Sequence, residues 1–242
     1  MGITPLTASR HGNIRIGARP DPVYGARHNH AVLGASEIMY ASADFPLLLM
    51  KDGETGAFNI VALFGFAPGQ NRYVINGRWQ ATWLPGAMLR YPFYRDENAP
   101  HGLAIDEECG LLHTAQGEAL FTDGQPTRFT THIAQTIVAL VDDIAAAQTL
   151  ARILAASALV RPLELILTDA SGHENQIDGL YGISQQALDE LSDSAVLSLH
   201  RSGALRAANV IAASLGQLER VRQLHDHASP QPLARMAYAI ID

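Results

Sequence analysis

Residues 130–158 read TTHIAQTIVALVDDIAAAQTLARILAASA, and this stretch decides the fold class. Its apolar positions Ile133, Ile137, Leu140, Val141, Ile144, Ala147, Ala151, Leu154 and Ala158 recur at helical steps, so one face of an α-helix becomes apolar. One long helix is expected, or two with a break near Asp142. Pro162 is expected to stop it, because proline removes a backbone donor and clashes with the preceding turn. Beyond it, 163–167 and 175–177 read as a β pair around a turn at 169–172.

Upstream, Gly, Pro and Asn punctuate the chain at short intervals, with β-branched and aromatic residues between them, which is the pattern of short strands and turns. Ser36 ahead of Glu37 marks a capped helix ending near Pro46, followed by strands at 47–50 and 58–66. A hairpin is expected where 72–75 and 78–82 flank Asn76-Gly77, a pair that tolerates the positive φ values of a tight turn. Downstream, Leu188, Leu191, Val196, Leu197, Leu205, Val210, Ile211, Leu215, Leu218, Val221 and Leu224 fall at helical spacings. The expected fold is α+β: a mainly antiparallel sheet, a long packing helix and a helical C-terminal region. No repeat or linker divides it, so residues 1–242 are expected to form a single domain, sheet-rich over 1–129 and mixed helical over 130–242.

A hydrophobic content of 48% with 17% charged residues suits a chain with a buried core. The formal charge of −7 offers no basic stripe to neutralise phosphates, so nucleic acid is not an expected partner. Cys109 is the only cysteine, which excludes an intramolecular disulfide and a cysteine-rich metal site. The N-terminal residues lack the unbroken apolar core of a secretory signal, which leads us to expect a cytoplasmic protein. The most apolar stretch, 133–160, carries Asp142, Asp143, Gln148 and Arg152 and is not expected to span a membrane.

Several segments, taken in order along the chain, form one consistent set. They begin with His11 and Ile14-Arg15-Ile16, then Glu37 before Phe45-Pro46-Leu47-Leu48. Gly69-Gln70-Asn71-Arg72-Tyr73-Val74, Gly77-Arg78-Trp79, Leu84-Pro85, Arg90-Tyr91-Pro92-Phe93 and Ile105-Asp106-Glu107-Glu108 follow in turn. Gly117-Glu118-Ala119-Leu120-Phe121, Gly124-Gln125-Pro126-Thr127, Gly179-Leu180-Tyr181 and His200-Arg201-Ser202-Gly203-Ala204-Leu205 extend the set over nearly the whole chain, which through these segments and their intervals resembles the bacterial SapC-like family. The segment 24–32 and the tail after His227 match less well. The resemblance implies a link with surface layers through the family's name. It also implies an accessory role in uptake or modification of a compound, since members accompany outer-membrane nutrient receptors and flavin-dependent halogenase-like proteins. It implies no catalytic residue.

Three residue groups carry candidate chemistry. Arg90-Tyr91-Pro92-Phe93 joins a guanidinium to aromatic surface, a combination able to grip a carboxylate or stack on a flat ring; the same residues also suit a strand start filling a core. Trp79 belongs either to this binding surface or to the core. His28 and His30 share one side of an extended segment, and with Glu37 they would supply two imidazoles and a carboxylate to a metal; otherwise they are polar residues at a sheet edge. Asp106, Glu107 and Glu108 form an acidic run that is either a carboxylate cluster with a raised pKa or a solvated turn paired with a basic neighbour such as Arg90. Cys109 beside these acids should have a raised pKa rather than an activated thiolate.

No G-x-S-x-G elbow, P-loop, dinucleotide fingerprint or H-E-x-x-H motif occurs, and no cofactor is indicated. The expected function is an accessory or small-molecule-binding protein using Arg90, Tyr91, Phe93 and Trp79, with a small ligand or a protein as partner. The alternatives are a metal-dependent, oxygenase-like enzyme built on His28, His30 and Glu37, and a component of surface-layer assembly. Apolar helix faces near the C-terminus suit either core packing or a homodimer.

Overall fold

The Asn76-Gly77 pair turns the chain as its chemistry dictates, with φ of 51° at Asn76 and 69° at Gly77, the positive values of a type I′ turn. Val74–Ile75 and Arg78–Trp79 pair antiparallel across it. The structure is a computed structural model and describes residues 2–241. Every strand pairing among the described residues is antiparallel, and with the long helix and the helical C-terminal region this gives the α+β architecture the sequence predicts.

The chain divides into two compact units, one from residues up to Gly25 with Gly86–Asp142, the other from Ala26–Pro85 with Asp143 onward. In the first unit, strand Leu103–Asp106 lies between Ile3–Pro5 and Phe93–Arg95. A second small sheet sets Arg15–Ile16 between Leu112–His113 and Glu118–Ala119. Gly117 is required there: its φ is 95°, and a Cβ would collide with the carbonyl oxygen of Ile16. Leu6, Ile16, Phe93, Leu103, Ile105, Leu120, Phe121, Ile133 and Ile137 form one buried core, in which the apolar stripe of the long helix meets the inward positions of the strands.

The second unit is built on a seven-stranded sheet. Leu47, Leu48 and Leu49 in strand Leu47–Lys51 are all fully buried, so both faces of this central strand are covered. Helix Ala204–Ser214 packs on this strand and on Leu180–Ile183, and Ala204, Ala207, Ala208 and Ile211 are its buried apolar residues. Ser214 fastens the junction, its Oγ accepting the amide of Leu47 at 2.8 Å and donating to the carbonyl of Ile211 at 2.7 Å.

Helix Arg128–Ala156 runs 29 residues without a break at Asp142. Thr127 caps it, its Oγ1 accepting the amide of Thr130 at 3.3 Å. Pro162 does not end it. Ala158 takes φ 59°, and the Leu159 amide returns to the carbonyl of Leu154 at 3.1 Å, which closes the last turn. Pro162 instead lies inside strand Val160–Asp169, opposite Tyr181, and its carbonyl accepts the amide of Ile241 at 2.9 Å. Ser36 is not the cap expected of it either: the short helical segment begins after Gly34, whose amide donates to Glu37 Oε2 at 2.9 Å. Past the expected C-terminal helices, Leu233–Ile240 returns as a strand along Val160–Asp169.

Candidate functional site

The strand Phe93–Arg95 sorts its side chains by alternation. Phe93 is fully buried in the core of the first unit, its ring 6.2 Å from that of Phe129. Arg19 rests against these two rings, its Cζ 5.6 Å and 5.4 Å from their centroids, and donates to the carbonyl of Leu89 at 3.2 Å. Burial lowers the Arg19 pKa below its ordinary value.

Tyr94, the next residue, carries a different set of contacts. The guanidinium of Arg90 lies over its ring at 4.3 Å from Cζ to centroid, while one Arg90 Nη1–H donates to the carbonyl of Phe93 at 2.9 Å. The turn that places Arg90 is fixed at both ends, its amide bonding the carbonyl of Gly86 and its carbonyl accepting the amide of Phe93, each at 2.9 Å. Tyr24 joins the group: it hydrogen-bonds Tyr94, and its ring stacks on Tyr91 at 3.7 Å with planes 9° apart. The hydroxyl of Tyr91 donates to Asp106 Oδ2 at 3.2 Å, and Asp106 Oδ1 accepts the amide of Glu108 at 3.1 Å.

Burial raises the Tyr91 pKa, with Asp106 next in effect, and burial followed by the neighbouring Tyr24 pushes Tyr94 up to about 12. Burial also raises the Cys109 thiol, with Asp106 and Asp21 adding to it. At neutral pH these groups are therefore protonated, so the phenols serve as hydrogen-bond donors and Cys109 is not a ready nucleophile. Arg90 stands out as the cation. Among the described residues neither it nor Arg19 makes an ion pair with a carboxylate.

The acidic run separates into distinct roles. Asp106 is buried in strand Leu103–Asp106, whereas Glu107 pairs with Arg10 at 2.5 Å and with the buried His11 at 2.9 Å. The hydrogen bond from Arg10 is the main cause holding Glu107 below the ordinary carboxylate range. The basic partner of the run is thus Arg10 and not Arg90.

Of the four residues expected to form a binding surface, Arg90 and Tyr91 belong to one aromatic group, while Phe93 is core. Trp79 packs inside the second unit, its ring 5.4 Å from Phe64 and perpendicular to it, and its Nε1 donates to the carbonyl of Trp83 at 2.8 Å. His28 precedes strand His30–Val32, and His30 Nδ1 lies 3.0 Å from Asn29 Oδ1. Burial, then the neighbouring His28, lowers the His30 pKa. Glu37 is buried on the amide of Gly34. Among the described residues no group of three or more His, Cys, Asp and Glu is placed to hold a metal ion, so His28, His30 and Glu37 do not form one.

Tyr94 and Tyr24 escaped the sequence reading. Tyr94 was accessible in principle, because the residue after a core Phe in a strand faces away from that core. Tyr24 carries no such signal, since only the folded chain brings it to Tyr91.

The family model for SapC matches residues 6–221. Arg90, Tyr24, Tyr91, Tyr94 and Asp106 all lie inside the match. No curated protein and no solved structure matches the chain. No helix among the described residues is long and apolar enough to cross a membrane.

Proposed function

We propose, from the premise that the chain belongs to the SapC family, that it binds a small planar anion at Arg90 and acts as an accessory to the uptake or modification of that compound. The observation that carries this reading is the placement of Arg90. Its guanidinium lies on the Tyr94 ring and commits one donor to the carbonyl of Phe93, without an ion pair to a carboxylate among the described residues. Stacking holds the fork in one plane, and its remaining donors suit the two oxygens of a carboxylate.

The surrounding tyrosines support a flat ligand. Tyr24 and Tyr91 are stacked, Tyr24 bonds Tyr94, and the raised pKa values keep Tyr91 and Tyr94 neutral. Such a wall offers aromatic surface, and the single O–H left over from the Tyr24–Tyr94 bond can donate, without repelling an anion. Asp106 and Asp21 are nearby negative charges; the Asp106 carboxylate already accepts the Tyr91 hydroxyl and the Glu108 amide, and Asp21 Oδ1 accepts the amide of Val23.

The test is ligand-observed NMR with benzoate, cyclohexanecarboxylate and benzamide. Benzoate is expected to bind and both others to bind at least about fivefold more weakly, since one lacks the flat face and the other the charge. Equal binding of all three, or none by benzoate, would contradict the reading.

A further inference from the structure

We propose that the second unit carries a separate site for the anion of a medium-chain fatty acid, in the groove beside Arg206. The groove has a volume of about 580 Å³ and is lined by the 35–40 segment, Leu150 of the long helix, and Ser202, Gly203, Arg206, Ala207 and Val210. That volume is the size of a small-molecule site. Ile38 and Ala207 are buried in it, whereas Met39 and Tyr40 stand 54% and 62% exposed, an unusual outlay of apolar surface for one short helical segment.

The polar atoms of the groove sort cleanly. Ser36 Oγ donates to Asp143 Oδ2 at 2.6 Å, and the Ser36 amide also bonds that carboxylate, so Ser36 and Asp143 satisfy each other. Ser202 Oγ donates to the carbonyl of Leu199 at 3.0 Å. Arg206 has no hydrogen bond or ion pair among the described residues. It lies one helical turn from Val210, on the same face of helix Ala204–Ser214. One free cation next to an apolar trough matches a ligand with one negative charge and a hydrocarbon chain. A polar body would find the two serine hydroxyls already engaged.

The ring of Tyr40 stacks on Trp83 at 4.9 Å with planes 16° apart, so occupation of the groove should perturb tryptophan emission. The test titrates the full chain with dodecanoate, below the concentration at which it forms micelles, and follows tryptophan emission and heat. Saturable binding is expected, weakening about fifteenfold for decanoate because each buried methylene contributes about fourfold. Arg206→Gln is expected to weaken dodecanoate at least about fivefold, and Met39→Glu, which sets a like charge in the trough, by a similar factor. Both positions are solvent-exposed, so both variants should unfold thermally at the wild-type midpoint. Absence of saturable binding to the wild type, unchanged affinity in either variant, or equal affinity for dodecyltrimethylammonium would overturn the proposal.

Discussion

Arg90 lies over the ring of Tyr94, its Cζ 4.3 Å from the centroid, and shares no carboxylate ion pair among the described residues. A half-exposed cation on a ring contributes only about 0.5–1 kcal/mol to stability. Replacing Arg90 by Ala should therefore lower the free energy of unfolding by no more than about 1 kcal/mol in a urea titration. A loss above about 2 kcal/mol would make Arg90 a structural residue rather than a binding one.

Tyr91 and Asp106 should behave in the opposite way, since both are buried and their hydrogen bond spans two segments of the first unit. Tyr91→Phe removes the donor and leaves the carboxylate with one partner fewer, at an expected cost of about 1–2 kcal/mol. Asp106→Ala also strips the Glu108 amide and should cost more, about 2–3 kcal/mol. The double variant should fall short of the sum in a denaturant cycle. Full additivity would mean that the two groups do not interact.

The tyrosines predict an alkaline limit to stability. A phenol whose folded pKa is raised keeps its proton in the native state after the unfolded chain has lost it, so stability is present below the unfolded value near 10 and falls as pH rises through the folded one. For Tyr94 that window runs from the ordinary value of 10.0 up to about 12. Phenolate absorbance should show Tyr91 and Tyr94 among the last to titrate, and Tyr94→Phe should flatten the loss of stability across this window. A native chain whose tyrosines all titrate near the unfolded value would contradict the assignment.

Gly34 and Asp143 give a packing test in the second unit. The Gly34 backbone has φ −74°, which any residue adopts, yet a Cβ there would collide with the Asp143 carboxylate. That carboxylate holds the amide and hydroxyl of Ser36. Gly34→Ala should destabilise by about 1–3 kcal/mol through overpacking. Adding Asp143→Ala should recover part of that loss, because the shortened side chain removes the collision. A double variant no better than the sum of its parts would show that the clash is not the cause.

Periodicity made the helix at Arg128–Ala156 legible, and turn chemistry made the Asn76-Gly77 hairpin legible, because both signals are local. Pro162 misleads for the same reason: its local chemistry predicts a helix stop, whereas the C-terminal turn closes without it at Ala158 and the proline fits a strand position. Leu233–Ile240 owes its strand to pairing with Val160–Asp169, a long-range contact with no short-range mark. At the candidate site, Arg90 and Tyr91 were readable as a dipeptide able to bind. Their companions Tyr24 and Asp106 lie far along the chain, and the coupling of Glu107 to Arg10 and His11 instead of Arg90 is likewise a product of the sheet.

The most direct test of the binding reading is titration of the Arg90 Nε–H NMR resonance with benzoate, assigned by its loss in Arg90→Lys. The account predicts a saturable shift of that resonance and a benzoate affinity at least about threefold weaker in Arg90→Lys, because an ammonium keeps the charge without the planar fork. A resonance that does not move while benzoate binds elsewhere, or an unchanged affinity in Arg90→Lys, would contradict it.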